Sequence, residues 1–164
     1  MTFPTSLLVG HLERYLKGMR PVRKTESAAY QIHYHFVTPV KYRKGIFGFP
    51  DREQTLLSIC KEIEERYEIV FEKMGIDLNH VHYLLSASPK LSPAQIIQIV
   101  KSITARELFS SHPDLKRELW GGHLWTEGYF VATIGEGGNK DVIEVYIANQ
   151  GKNPQDLQLK LFDF

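Results

Sequence analysis

Residues 78–85 are the stretch that most limits how this chain can fold. Their run of apolar and aromatic side chains predicts a buried β-strand. In a strand, residues two apart share a face, so His80 and His82 point the same way while Val81 faces the opposite layer. Any fold for this chain must therefore bury a strand that presents two imidazoles, a common type of metal ligand, on one face.

A second pattern lies in residues 139–151, which are predicted to form a helix. Asn139 is suited to cap its N-terminus, and Gly151 follows its expected end. Tyr146 and Gln150 are four residues apart, so a phenol and a carboxamide share one helix face, one turn apart. Short motifs of either kind often have only a structural role, and neither one alone establishes chemistry.

Together and in this order, the two patterns resemble the HUH single-tyrosine transposases of insertion sequences, the IS200-like transposase family. In this name, U stands for a hydrophobic residue between two histidines. His80, Val81 and His82 match the HUH triplet, Tyr146 matches the family's nucleophile, and Gln150 matches its third metal ligand. Other stretches that look like the family are residues 40–44, 101–106, 120–125 and 128–135.

The resemblance divides the sequence into three parts. Residues 1–29 form an N-terminal extension, residues 30–150 the HUH transposase domain, and residues 151–164 a C-terminal tail. At 164 residues the chain has the length of one domain. One departure from the family is Asn79, because many members carry Asp before the triplet and a supporting acid is therefore missing there.

The predicted element order is β-α-β-β-α-β, followed by the tyrosine-bearing helix at the C-terminal end. The expected strands are residues 30–37, 67–76, 78–85 and 129–134, and the main helices are residues 51–66 and a segment that begins at Pro93. This order predicts an α+β, ferredoxin-like (RRM-like) fold, with an antiparallel sheet and its helices on one face. Its first and third strands lie centrally, where the histidines are. Many functions share this fold, so it does not decide among them.

A second His-x-His pair, His33 and His35, lies on the first predicted strand. By spacing alone, this pair is an alternative to His80 and His82 as the ligand pair. We assign it a supporting role, because a neighbouring strand places these histidines near the site, where they can orient a ligand or contact a phosphate.

Basic residues that are candidates for DNA contact lie in two places. The net charge is only +1, but residues 1–44 carry eight Lys or Arg against two Glu. A turn within this segment alternates cations with an aromatic ring, which suits a phosphate backbone and base stacking; its residues are Lys41, Tyr42, Arg43 and Lys44. Lys101 and Arg106 lie on the second helix. A solvated loop and a solvated helix surface are the alternatives.

The resemblance implies an enzyme that cleaves and rejoins single-stranded DNA at insertion-sequence ends. Tyr146 would form a 5′-phosphotyrosine intermediate, and His80, His82 and Gln150 would hold a divalent metal ion, Mg²⁺ or Mn²⁺. The resemblance also implies hairpin-ended single-stranded DNA as the substrate, and a homodimer whose active sites are shared between subunits.

Two other function classes fit part of the sequence. A ferredoxin-like nucleic-acid-binding module without catalysis would stack bases on sheet aromatics such as Tyr34 and Tyr83. Another HUH endonuclease, such as a replication initiator or a relaxase, would use the same chemistry in a different role. The single cysteine, Cys60, and the lack of a membrane-length apolar stretch predict a cytoplasmic protein without membrane contact.

Overall fold

The computed structural model describes residues 22–134 of the chain. The predicted tyrosine-bearing helix, with Tyr146 and Gln150, lies outside the described residues, and so does most of the predicted extension 1–29. The chain divides into two compact units, Met1–Gln31 and Ile32–Phe164, which are treated separately below. The domain limits at residues 30 and 150 stay a prediction.

The described part of the first unit is a small hairpin. Strand β1 (Arg23–Lys24) pairs antiparallel with strand β2 (Ala29–Tyr30). The connecting turn is closed by Thr25, whose backbone N–H donates to the Ala28 carbonyl at 2.7 Å. The prediction that the first sheet strand begins at residue 30 is wrong, because Ala29 and Tyr30 pair within this local hairpin.

The second unit contains a four-stranded antiparallel sheet. Its strands are β3 (Tyr34–Pro39), β4 (Ile69–Asp77), β5 (His80–Ala87) and β6 (Phe130–Thr133). They lie in the order β4-β5-β3-β6, and every neighbouring pair is antiparallel. The strands β3 and β5 are therefore central, as the ferredoxin-like pattern predicts.

The described part of the same unit, residues 32–134, has three α-helices: α1 (Pro50–Arg66), α2 (Pro93–Ser111) and the short α3 (Leu115–Glu118). Helix α2 begins in a capping box, in which Ser92 Oγ accepts from Gln95 N at 3.2 Å and Gln95 Oε1 accepts from Ser92 N at 2.8 Å. Pro93 follows in the first turn, where its missing N–H costs nothing. No helix within residues 22–134 is long and apolar enough to cross a membrane.

The two faces of the sheet have different compositions. Alternate residues of β3 and β5, among them Phe36, Val81 and Tyr83, pack in one apolar core with the inward residues of α1 and α2. The helices thus cover one face, as predicted. His80, His82 and Leu84 alternate with these residues and lie on the opposite face. Cys60 is buried in the helix-side core, where it packs as a small apolar side chain.

Arg52 joins the start of α1 to α3. Its side chain is 3% exposed and donates to the Ile46 carbonyl at 3.0 Å, to Asp114 Oδ2 at 2.6 Å and to Glu118. Its guanidinium carbon lies 4.4 Å from the centroid of the Phe49 ring. The hydrogen bond to Glu118 raises the pKa of Arg52, and the one from Arg52 lowers the pKa of Asp114.

Replacing this guanidinium tests the junction. Arg52→Met leaves the Ile46 carbonyl and two carboxylates without their donor, so we expect unfolding free energy to fall by about 2–3 kcal/mol in urea titrations. Arg106→Met is the matched control, because Arg106 is 65% exposed and pairs with its sequence neighbour Glu107; its cost should stay under about 0.5 kcal/mol. Equal losses in the two variants would contradict this account.

Candidate active site

His80 and His82 lie side by side on the central strand β5. Their ring centroids are 5.1 Å apart, and both side chains are almost fully buried. In the pairing with β3, Pro39 lies opposite His80 and Val37 opposite His82. The sheet therefore holds two imidazoles close together on the face opposite the helices.

Asn79 determines which nitrogen of the His80 ring carries the proton. Its Oδ1 lies 2.7 Å from His80 Nδ1, and an amide oxygen can only accept, so Nδ1 carries the proton and donates. In a neutral ring, Nε2 then carries the lone pair. Asp77 Oδ2 is 3.9 Å from that Nε2. Asn79 thus supplies the hydrogen-bond acceptor for the His80 ring.

His35 reaches the second ring from the neighbouring strand β3. Its Nε2 lies 2.9 Å from His82 Nδ1, and the two rings are stacked with centroids 5.2 Å apart. Burial lowers the pKa of His35 to about 4, so its ring is neutral near neutral pH. The neutral His35 ring therefore donates or accepts in this hydrogen bond according to its tautomer.

His33, just before β3, interacts with Glu72 on β4. His33 Nδ1 and Glu72 Oε1 are 3.1 Å apart, and Glu72 lies at a register irregularity between Phe71 and Lys73. We did not single out Glu72 from the sequence. The sequence gives it no distinct signal, because Glu68 and Lys73 are further charged residues in the same predicted strand.

The described residues contribute two nitrogen ligands to a candidate metal site. Within residues 22–134, no set of three or more His, Cys, Asp or Glu side chains is arranged to hold a metal ion. The predicted nucleophile Tyr146 and the predicted third ligand Gln150 lie outside that range. The two adjacent histidines fit a metal site that receives a further ligand from another part of the chain.

The turn of residues 41–44 follows β3 directly. Tyr42 and Arg43 have φ angles of 58° and 50°, and Lys44 N donates to the Lys41 carbonyl at 3.3 Å. Positive φ at both central positions is the geometry of a type I′ turn, which favours Asn and Gly. A non-glycine residue in this left-handed region costs roughly 1–2 kcal/mol. The 41–44 turn is therefore strained.

Backbone hydrogen bonds attach the 41–44 turn to the site. Val40 N donates to the Asn79 carbonyl at 2.8 Å, and Lys41 N donates to the Leu124 carbonyl at 2.8 Å. Asn79 is also the residue that holds the His80 ring. Of the predicted DNA-contact residues, those of the turn thus lie at the same end of the sheet as His80.

The other two predicted DNA-contact residues lie on α2. Lys101 Nζ donates to the carbonyls of Thr126 and Glu127 at 2.6 and 3.0 Å, and burial lowers its pKa. Arg106 Nε donates to Glu107 Oε1 at 2.9 Å. Lys101 also lines a groove of about 450 Å³ between α2 and residues 122–129, on the helix side of the sheet. The structure therefore does not bring Lys101 and Arg106 together with the histidines.

Comparison with known families agrees with this geometry. Residues 28–150 match the family model described as "Transposase IS200 like". The chain belongs to the IS200-like transposase family. The family predicted from the sequence is confirmed, and the matched range includes both histidines as well as Tyr146 and Gln150.

Individual transposases are similar over most of the chain. The ISDra2 transposase TnpA of Deinococcus radiodurans is 32% identical over 129 residues, which are 79% of this chain and 91% of that protein. The IS200 transposase of Salmonella typhimurium is 28% identical over 117 residues, 71% of this chain and 75% of that protein. A solved transposase structure from Deinococcus radiodurans has a TM-score of 0.63 at 30% identity, covering 78% of this chain and 97% of that one.

A second solved structure shares the fold alone. It is a REP-associated tyrosine transposase bound to a REP hairpin, with a TM-score of 0.52 and 10% identity, covering 80% of this transposase and 72% of that chain. With the closer Deinococcus structure, it confirms the α+β, ferredoxin-like fold of this IS200-like transposase.

The contact with Asn79 predicts the tautomer of His80. Long-range ¹H–¹⁵N spectra of the metal-free protein should show His80 protonated on Nδ1, with exposed His123 as the internal reference. Asn79→Ala removes the acceptor and should move the proton toward Nε2, whereas Asn79→Asp keeps an acceptor and should retain Nδ1–H. A wild-type His80 protonated on Nε2 would contradict the assigned hydrogen bond.

Proposed function

We propose that this IS200-like transposase cleaves and rejoins single-stranded DNA through a covalent 5′-phosphotyrosine at Tyr146, with a divalent metal ion at His80 and His82. The observation that carries the proposal is the pair of adjacent buried imidazoles whose Nδ1 atoms both have hydrogen-bond partners, Asn79 and His35. This arrangement supports metal coordination through the two Nε2 atoms.

The reaction conserves the number of phosphate ester bonds. The Tyr146 oxygen forms a bond to the scissile phosphorus, and the bond from that phosphorus to the 3′ oxygen breaks. The 5′ phosphate stays on the tyrosine and the other strand end leaves as a 3′ hydroxyl, which can later attack a phosphotyrosine and reseal the DNA. Cleavage and joining therefore need no external energy source.

The donor set supports a magnesium or manganese ion. Two imidazole nitrogens and the proposed amide oxygen of Gln150 form a neutral set, which suits Mg²⁺ or Mn²⁺ completed by phosphate and water oxygens. When bound, such a cation neutralises charge on the scissile phosphate and on the phenolate, whose reference pKa is about 10. The protein's part is to hold His80 and His82 in the required tautomers.

His35 supports this site by setting the tautomer of His82. For His82 to offer Nε2 to a metal while neutral, its Nδ1–H must donate to His35 Nε2. His35 must then keep its own proton on Nδ1. Its stacked position, 5.2 Å between centroids, also fixes the plane of the His82 ring. We assign His33 a supporting role as well, through its contact with Glu72.

The proposed substrate is single-stranded DNA with hairpin ends. Support comes from the excess of Lys and Arg in residues 1–44, from the exposed 41–44 turn beside His80, and from the hairpin bound to the REP-associated relative. We also propose a cytoplasmic homodimer in which the helix carrying Tyr146 completes the partner's site. The charge and the family resemblance support these assignments.

The first test is covalent trapping. The full-length protein is incubated with labelled hairpin DNA from the flanks of its own gene, with Mg²⁺ or Mn²⁺, and analysed on a denaturing gel. We expect a metal-dependent adduct that Tyr146→Phe abolishes and that Tyr67→Phe, a change at an exposed tyrosine, leaves intact. Binding without an adduct in both metals would instead favour a module without catalysis.

The His35 variants extend the same experiment to metal binding. Calorimetric titration with Mn²⁺ should show His35→Leu binding roughly 10-fold or more weakly, because it removes the partner of His82 Nδ1. His35→Gln keeps an acceptor and should recover part of that affinity. Unchanged affinity in His35→Leu would refute the supporting role.

Sharing of sites between subunits predicts complementation. Tyr146→Phe and His80→Ala should each fail to form the adduct when pure, since each lacks one half of the machinery. Mixed dimers of the two variants contain one site with both residues intact if the tyrosine acts in the partner. Recovery of adduct in the mixture is the expected result, and no recovery in mixed dimers verified by native mass spectrometry would exclude sharing.

A further inference from the structure

We propose that the 41–44 turn is a binding site for an unpaired nucleotide of the DNA strand, with Tyr42 stacked on the base and Arg43 and Lys44 on neighbouring phosphates. The ligand class, single-stranded DNA, rests on the proposed function. The site itself is inferred from backbone strain, exposure and position.

The strain is confined to this turn. Tyr42 and Arg43 are the only non-glycine residues with positive φ within residues 22–134. The turn type favours Asn-Gly, so the residues present are unfavourable for the conformation they adopt. Strained conformations persist only where surrounding structure enforces them, and they concentrate at binding sites.

Buried residues on both sides hold the turn in place. Val40 before it and Ile46 and Phe47 after it belong to the helix-side core. Tyr42, in contrast, is 56% exposed, although a large aromatic side chain contributes most to stability when it is buried. Packing therefore gives no reason for the ring at this position, whereas stacking on a base does.

The Tyr42 ring is accessible to a stacking partner, because the residue is 56% exposed. Lys41 Nζ lies 5.5 Å from the ring centroid, over one face. The ammonium group therefore adds positive charge next to the surface on which a nucleobase would stack. The exposed Arg43 and Lys44 follow immediately, so three cations flank one aromatic platform. Single-strand binding sites combine the same two features, a stacking platform and a basic path for the backbone.

The position of the turn links this nucleotide to the cleavage site. Pro39 lies opposite His80, and the turn begins two residues later. The Asn79 backbone carbonyl holds Val40, while the Asn79 side chain holds the His80 ring. A strand whose phosphate lies at His80 therefore has unpaired nucleotides within reach of Tyr42.

The test separates strain from binding. Tyr42→Asn removes the ring and places a residue that tolerates positive φ, so we expect the melting temperature to rise by about 2 °C or more. We expect its affinity for a labelled single-stranded oligonucleotide, measured by anisotropy in metal-free buffer, to fall about 10-fold. Tyr42→Phe keeps the ring and should bind like wild type. Tyr67→Asn, at another exposed tyrosine, is the matched control.

Two further measurements identify the contacts. In an abasic scan, the bases of the oligonucleotide are removed one at a time. Removal at one position should weaken binding to the wild-type protein but not to Tyr42→Asn, because this variant already lacks the ring on which that base stacks. Arg43→Gln should lower the slope of log affinity against log salt by about 0.7, while Arg66→Gln, on the exposed end of α1, should not.

The outcomes distinguish this site from the proposed reaction. Wild-type affinity in Tyr42→Asn, or a lower melting temperature, would overturn the stacking site even if the Tyr146 adduct forms. Weaker binding and a higher melting temperature in Tyr42→Asn would support the site even if no adduct forms. In that second case, the protein would bind single-stranded DNA at the 41–44 turn but would not carry out the proposed cleavage at Tyr146.

Discussion

The antiparallel register between β3 and β5 determines most of the described structure. It places Val37 opposite His82 and Pro39 opposite His80, and alternation then sends Val81 and Tyr83 to the helix side. A slip of one residue would exchange the two faces, burying imidazoles against α1 and α2 and removing Tyr83 from the core. The hydrophobic core and the candidate active site therefore select the same register.

Burial of His80, His82 and Arg52 is tolerated because each of these side chains has a hydrogen-bond partner close by in the fold. A buried polar side chain without a hydrogen bond destabilises a protein substantially. His80 uses the preceding residue, Asn79, whereas His82 uses the adjacent strand through His35. Arg52 follows the same rule on the helix side, where carboxylates and a carbonyl surround its guanidinium. Hydrogen bonds and core packing thus stabilise the two sides of the sheet.

The sequence predicted the architecture better than the contacts. Alternation and capping signals predict the sheet order, the central position of β3 and β5, and the start of α2 at Pro93. Strand propensity does not indicate which partner a strand pairs with. The sequence therefore does not reveal that Ala29 and Tyr30 pair within a local hairpin. The His35–His82 hydrogen bond depends on a diagonal contact across two strands, which only the register reveals.

The left-handed turn carries neither Gly nor Asn, so its usual sequence signal is absent. Tyr146 and Gln150 stay predictions.

Asn79 connects two parts of the candidate active site through one peptide unit and its side chain. Its carbonyl receives the backbone of the 41–44 turn, and its amide oxygen receives the His80 ring. A displacement of the β4–β5 hairpin tip would carry the ring and the turn together, preserving the spacing between them. The tip therefore keeps a constant distance between the His80 ring and the 41–44 turn, which in the proposed reaction is the distance between the metal site and the stacked nucleotide.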